Sequence, residues 1–318
     1  MTGTESLSGR RVVVTGGTGF LGEAVTRQLL AAGAVVHALG SRDYDLTEQS
    51  EVRRLYRDLT PEVVVHAAAA VGGIGANVAN PGRFLYENAL MGLMLIDEAR
   101  LAGTGKFVLI SSTCAYPQDA PLPLSEDDLW SGKPTGATGP YGMAKRLLHE
   151  ACETYHRQYG LESSVLLLSN LYGPGDHFDP DTSHVIPALI DRFVRAAEDG
   201  TPSVTNWGSG RATREFIHVD DAARGIVAAV RRRTGPDPIN LGTGVETSIR
   251  EVSDLIQAAA GYDGEVIWDT SKPDGQPRRY VSIERARRLL DFEPTVPLAT
   301  GINQTVEWYS RESVRWVR

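Results

Sequence analysis

Ser112, Cys114, Tyr141 and Lys145 are the residues of this chain whose types and spacing suit chemistry. Tyr141 and Lys145 stand at i and i+4 in PYGMAK, which at helical spacing puts a phenol and an ammonium on one face, one turn apart. A neighbouring ammonium stabilises a phenolate. The pair therefore predicts a Tyr141 hydroxyl more acidic than free tyrosine (about 10) and usable as proton donor or acceptor near neutral pH. Ser112 and Cys114 lie in LISSTCAYP, at the end of an apolar run that reads as a buried strand. Such a set suits acid–base chemistry on a carbonyl or carbinol.

These side chains need a partner substrate, and the start of the chain points to a dinucleotide. VVVTGGTGFLG reads as a strand, a glycine-rich turn and a helix. Gly16, Gly19 and Gly22 have the roles of tight turn, close backbone approach to a pyrophosphate and close helix–strand packing. The helix opening near Phe20 and Leu21 would aim its amide end at the phosphates. The second strand, VVHAL, runs into Gly40-Ser41-Arg42 with no carboxylate at its tip. Arg42 is placed to meet a 2′-phosphate, which favours NADP. The alternative is NAD, with Arg42 in solvent and Asp43 on the ribose. Asp45 and Leu46 are candidate adenine contacts, and the small Ala67, Ala68 and Ala69 would let backbone sit against the cofactor. Thr18 and Leu171 complete the candidate cofactor set, with Tyr141 and Lys145 shared.

The positioning elements follow from hydrophobic patterning. Residues 11–15, 34–39, 62–67, 106–111 and 163–168 read as strands; 21–32, 48–59, 84–102, 141–159, 219–233 and 248–260 read as helices. Alternation at this spacing predicts an α/β fold with a doubly wound parallel sheet. After NLYGPG the pattern loosens into Gly- and Pro-rich stretches, which predicts a smaller C-terminal substrate-binding lobe. The expected division is a nucleotide-binding domain over 1–172 with a return segment around 214–240, and a lobe made of 173–213 and 241–318.

Composition narrows the classes. A length of 318 residues, 42% hydrophobic and 23% charged, is ordinary for a soluble globular protein. A net charge of −8 argues against nonspecific nucleic-acid binding. No apolar run is strong enough to span a bilayer, and MTGTESLSGRR lacks the core of a signal peptide. Only Cys114 and Cys152 occur, so no disulfide framework is expected and a cytoplasmic location follows. Seven scattered histidines show no metal-ligand spacing, so no metal is expected.

Longer stretches carry a resemblance. VGGIGAN (71–77), SSTCAYP (111–117), NLYGPGDHFDP (170–180), SHVIPALIDRF (183–193), WGSGRATREFIHVDD (207–221), NLGTG (240–244) and KPDGQPRR (272–279) are similar to the extended short-chain dehydrogenase/reductase family, and within it to the GDP-L-fucose synthase group. The resemblance covers roughly residues 10–308. It implies NADPH-dependent epimerisation at C3 and C5 of a GDP-4-keto-6-deoxyhexose followed by reduction at C4, a Rossmann-type fold, and a homodimer formed through helices 84–102 and 141–159. Hydrogens α to the C4 carbonyl are removed and replaced from opposite faces, which needs a base and an acid. The resemblance assigns these to Cys114 and His184. Tyr141 with Ser112 would stabilise the enolate oxygen and protonate C4–O⁻, and Lys145 would hold the nicotinamide ribose. Arg192 and Arg214 are the first candidates for the diphosphate or sugar, since guanidinium matches phosphate oxygens bidentately. Asn170, Trp207 and Lys272 are further substrate candidates, and Glu126 reads as structural.

The chain also departs from the group's pattern. Thr18 stands where an arginine is common in the glycine turn, Ala70 replaces a lysine in AAKVGG, and Ser282 stands where an acid is common. These changes fit an altered substrate or a truncated reaction. An NDP-sugar epimerase without net reduction is the alternative. A 4,6-dehydratase is disfavoured because Thr113-Cys114 offers no carboxylate, and a non-catalytic dinucleotide sensor because Tyr141 and Lys145 both persist.

Overall fold

A strand covered by helices on both faces can be apolar at every position, and five such runs form the first part of the sheet. In the computed structural model, which describes residues 4–179, 183–272 and 274–316, they are β1 (Arg11–Thr15), β2 (Val35–Leu39), β3 (Val63–His66), β4 (Lys106–Ser112) and β5 (Ser163–Leu168). Between them lie α1 (Phe20–Ala31), α2 (Gln49–Leu59), the short α3 (Ile74–Ala79), α4 (Pro81–Leu101) and α5 (Gly139–Tyr159). Then come β6 (Asn170–Tyr172), α6 (Val185–Glu198), β7 (Ser203–Trp207), β8 (Thr213–Arg214), β9 (Phe216–His218) and α7 (Val219–Val230). The chain ends with β10 (Pro238–Leu241), β11 (Thr247–Ser248), α8 (Ile249–Ala259), β12 (Glu265–Asp269), α9 (Glu284–Leu290) and α10 (Leu298–Trp316).

Six strands pair in the order β10-β5-β4-β3-β1-β2, all parallel. Successive side chains face opposite helical layers. Val12, Val14, Val63, Val65, Val108 and Ile110 join residues of α1 and α7 in one core; Val13, Val64, Phe107 and Leu109 join those of α2, α4 and α5 in the other. The chain leaves β1 for β2 on one side and resumes at β3 on the other. A cleft therefore opens at the carboxyl ends of β1 and β3, where such sheets bind ligands.

A third core, with Ile186, Ile190, Phe193, Val252, Ile256, Ile302 and Val306, packs α6, α8 and α10 together. Helices α6 and α10 and the sheet strand β10 are additions to the sequence expectation. The four residues of β10, PINL, begin with a proline and are too short to stand out. Other boundaries shift by one to three residues. α5 starts at Gly139 with Pro140 in the first turn, where a missing N–H costs nothing. α7 stops at Val230 because buried Lys106 closes its end, its Nζ donating to the carbonyls of Ala229 (2.7 Å) and Arg232.

Glu215, between β8 and β9, is 1% exposed. Its carboxylate accepts from the amides of Thr243, Gly244 (2.8 Å) and Val281 (2.8 Å) and from Thr243 Oγ1 (3.4 Å). Among the described residues no helix is long and apolar enough to cross a membrane, and no group of three His, Cys, Asp or Glu could hold a metal ion. Glu215→Ala strands the buried Val281 amide and removes the acceptor of the part-buried Thr243 and Gly244 amides; a buried donor left unpaired costs about 1–3 kcal/mol. The expected loss is about 1–3 kcal/mol in urea unfolding, and a loss well under about 1 kcal/mol would show that water replaces the carboxylate freely.

Candidate active site

β1 ends at Thr15 and the chain turns at once into α1. Gly16 makes the turn at φ 67°, and a Cβ there would lie 2.8 Å from the Ala68 amide nitrogen. At Gly22 a Cβ would stand 2.0 Å from the Gly16 carbonyl oxygen. Backbone therefore packs on backbone, and α1 opens from Gly19 without a side-chain cap. This cradle and its amide end fit a dinucleotide pyrophosphate. Phe20 and Leu21 pack partly buried on the first core, as does Leu171 of β6.

Across the turn, Thr18 Oγ1 crowds the face of Gly40: a Cβ on that glycine would be 2.7 Å away. Asp43 Oδ2 accepts from the Gly40 amide at 2.7 Å, so its carboxylate serves its own loop. Arg42 stands exposed beside it. Asp45 Oδ1 accepts from the amide (2.9 Å) and hydroxyl (2.6 Å) of Thr47, which hold its carboxyl below the usual range. Leu46 packs partly buried on the second core. Ala67, Ala68 and Ala69 follow β3, the first two tied to Thr15 through its carbonyl (3.2 Å) and hydroxyl (3.3 Å).

Ser112 is the last residue of β4, and its Oγ accepts from the Cys114 amide at 3.2 Å, closing a 3₁₀ turn over Thr113–Ala115. The Cys114 carbonyl rests on Gly142, where a Cβ would be 2.2 Å from the oxygen. Tyr141 and Lys145 occupy the first turns of α5, the Lys145 Nζ 5.7 Å from the Tyr141 ring centroid. Lys145 is 2% exposed and donates to the Ile110 carbonyl at 3.0 Å. The end of β4 and the head of α5 thus bring Ser112, Cys114, Tyr141 and Lys145 together.

The electrostatics differ from the sequence expectation in sign. Burial, and then negative charge on Cys114, push the Tyr141 phenol above the ordinary tyrosine value instead of below it. Burial also drops Lys145 to about 8, so the ammonium is itself under strain and does not offset the loss of water around the phenol. Tyr141 is held as a proton donor. His66 and His149 lie nearby, both pushed down to about 3 by burial and then by the Lys145 charge. They are neutral partners, of Thr15 Oγ1 (2.9 Å) and Ser111 Oγ (2.7 Å) respectively.

His184 is the N-cap residue of α6, on the third core, reached through a DPDTS loop that lies partly outside the described residues. The residue is exposed overall, but partial desolvation, then the neighbouring His177, holds its imidazole below the ordinary value. Arg192 of α6 donates to the Thr205 carbonyl (3.1 Å) and Asn206 Oδ1 (2.7 Å), beside Trp207, which is 72% exposed with the Lys272 ammonium 5.8 Å from its ring. Arg214 donates to the carbonyls of Thr213 (2.6 Å) and Gln276 (2.7 Å). Asn170 reaches the Glu215 carbonyl at 2.8 Å. Arg192, Arg214 and Asn170 therefore also work as braces. Glu126 is a buried acceptor for the Asn240 amide (2.8 Å), in keeping with a structural role.

Two residues are not singled out from the sequence, although Arg279 closes the KPDGQPRR stretch. Asn88 clamps Ala70 through both its amide (3.0 Å) and carbonyl (2.9 Å). Arg279 donates to the Thr113 carbonyl and to Gln276 Oε1 (3.0 Å), placing a guanidinium at the Cys114 turn.

The chain resembles proteins already described. A model of the NAD dependent epimerase/dehydratase family matches residues 12–242. GDP-L-fucose synthase of Escherichia coli (strain K12) is 37% identical over 98% of this chain and 99% of that one. GDP-L-colitose synthase of Yersinia pseudotuberculosis is 32% identical over 95% and 98%. A crystal structure of a GDP-L-fucose synthetase from Naegleria fowleri bound to NADP matches with a TM-score of 0.88 and 28% identity, covering 99% of this chain and 97% of that one.

Proposed function

The chain belongs to the NAD-dependent epimerase/dehydratase family of extended short-chain dehydrogenases/reductases, and we propose that it is an NADPH-dependent 3,5-epimerase/4-reductase of a GDP-4-keto-6-deoxyhexose. The observation that carries this reading is Cys114, whose carbonyl packs on Gly142 next to Tyr141 where the end of β4 meets the head of α5, and whose charge acts on the Tyr141 phenol. A simple carbonyl reductase has no need of a second proton carrier there, whereas inversion at carbons flanking a ketone does.

Bound NADPH supplies a hydride to C4. The chain supplies the rest. Gly16, Gly19 and Gly22 receive the pyrophosphate, Arg42 the 2′-phosphate, and Asp45, Leu46, Ala67 to Ala69 and Leu171 line the remainder. Cys114 and His184 exchange protons with C3 and C5 from opposite faces. The protonated Tyr141, helped by Ser112, donates to the enolate oxygen and then gives its proton to the C4 oxygen. Lys145 orients the nicotinamide ribose. The lobe of α6, α8 and α10 contributes Arg192, which with Arg214, Trp207, Lys272 and Asn170 holds the sugar nucleotide. We further propose a cytoplasmic homodimer. Its support is the row of exposed apolar side chains on the packed pair α4 and α5: Leu85, Tyr86, Leu93, Leu147 and Tyr159. Sedimentation of a monomer at micromolar concentration would refute the dimer.

Two experiments test the chemistry. With GDP-4-keto-6-deoxymannose and NADPH in D₂O, the expected product is reduced and carries deuterium at C3 and C5. Tyr141→Phe loses about 10²–10⁴-fold in hydride transfer with cofactor binding intact. Deuterium uptake without NADPH oxidation would instead make the protein an epimerase without a reductive half, and near-normal turnover of the variant would remove Tyr141 from its role. Arg42→Ala is expected to weaken NADPH about tenfold or more and NADH little; equal loss would take Arg42 out of the cofactor choice.

A further inference from the structure

Arg278 and Arg279 are adjacent in KPDGQPRR, yet the fold gives them different surroundings. Arg278 is exposed and forms a two-pronged pair with Glu246 (2.6–3.2 Å), an ordinary surface tie between loops. Arg279 points inward. Its Nη2 donates to the Thr113 carbonyl, the peptide that joins Thr113 to Cys114, and its Nη1 to Gln276 Oε1. Neither acceptor is an anion, so the guanidinium charge has no carboxylate partner in these contacts. Burial pushes Arg279 below the ordinary arginine value, and negative charge on Cys114 is the leading influence in the opposite direction, followed by Tyr116. Arg214 is close enough for Arg279 to disfavour its charge in turn. The two guanidiniums meet at Gln276, Arg214 on its carbonyl and Arg279 on its side-chain oxygen, and Arg279 also grips the peptide that leads into Cys114, the group whose negative charge favours the Arg279 cation first.

We propose that Arg279 is a positioning residue that holds the Thr113–Cys114 turn and serves as the counter-charge to the Cys114 sulfur while that sulfur is an anion. This rests on the epimerase reading of Cys114. In that step the C–H bond next to the ketone breaks, its electron pair enters the enolate, and the proton goes to the Cys114 sulfur. The guanidinium favours the state before transfer, in which sulfur carries the charge, and so keeps the base available. Arginine suits the task because its fork binds the Thr113 carbonyl while its charge stays fixed.

The test reads the thiol directly. Iodoacetamide is added to the free protein at pH 7.5 and carboxamidomethylation of Cys114 is followed by peptide mass spectrometry; Cys152 is fully buried and does not compete. Arg279→Gln and Arg279→Met, two neutral replacements of different packing, are expected to slow alkylation about tenfold or more, and Arg279→Lys to restore it to within about threefold of the native rate. With GDP-4-keto-6-deoxymannose and NADPH in D₂O, the neutral variants shift the reduced product from inverted, deuterated sugar toward uninverted sugar, and Arg279→Lys shifts it back. Alkylation at the native rate in whichever neutral variant folds overturns the proposal, as does a folded Lys variant as slow as the neutral ones. If the native protein ignores the GDP-sugar but the alkylation pattern holds, the substrate reading fails and the Arg279–Cys114 pairing stands.

Discussion

The carboxylate of Glu215 is the contact on which the arrangement of the cleft depends. A buried acid with four donors from two loops acts as a knot, and unfastening it leaves polar backbone without water. One loop, through Thr243 and Gly244, follows the last strand of the sheet. The other, through Val281, follows the segment that carries Arg279. From Val281 the order spreads along one short bridge. Leu124 bonds Tyr280 and Ser282 on either side of it, and Asn240 ties Leu124 and Ser282 to Tyr116, whose hydroxyl it accepts at 2.9 Å. Tyr116 lies two residues past Cys114. A single buried charge beside Arg214 thereby registers the far end of the chain against the strand end that holds the thiol.

Desolvation sets the protonation states in this cleft more than pairwise charge does. Lys145, His66, His149 and Tyr141 all have burial as the first cause of their shifts, and each shift favours the neutral form. The Lys145 ammonium then acts on its neighbours from inside a shell of neutral imidazoles and one backbone carbonyl. The result is a rigid, weakly charged wall on the sheet side. The fixed cations Arg214 and Arg279 come from segments beyond β7, Arg279 reaching the Thr113 carbonyl at the end of β4. Under the proposed function, an anionic sugar nucleotide would find both this positive charge and a proton-donating phenol.

Much of this is legible in the sequence. β1 to β5 and the four long helices of the sheet layers fell within three residues of their positions, because buried parallel strands are continuous apolar runs and the helices between them alternate in clear periods. The glycine turn and the Tyr–Lys pair are local patterns, and they carried over intact. What stayed hidden is non-local. β10 is four residues that become a strand only by lying beside β5. α6 has apolar residues at Ile186, Leu189, Ile190 and Phe193, a helical period that the motif around it obscured. The acidity of Tyr141 came out with the wrong sign because spacing reveals a neighbouring charge and says nothing about lost water. Two adjacent arginines look alike in sequence, and only the path of the loop separates a surface tie from a charge at the active turn.

In the proposed mechanism the two half-reactions share one donor, and the coupling between Cys114 and Tyr141 would order them. Negative charge on Cys114 raises the phenol further, beyond what burial alone does. Under the proposed roles, a thiolate waiting to take a proton from carbon therefore locks the Tyr141 proton in place, where it can donate a hydrogen bond to the developing enolate without being surrendered. Once the sulfur has taken its proton, that restraint is gone, and the phenol is freer to release its own proton to an alkoxide. The same pair of residues holds the phenol back during inversion and frees it for reduction. The close packing of the Cys114 carbonyl on Gly142 is what keeps the two groups near enough for the coupling to operate. A residue at position 142 with any side chain would separate them, and with them the two halves of the reaction.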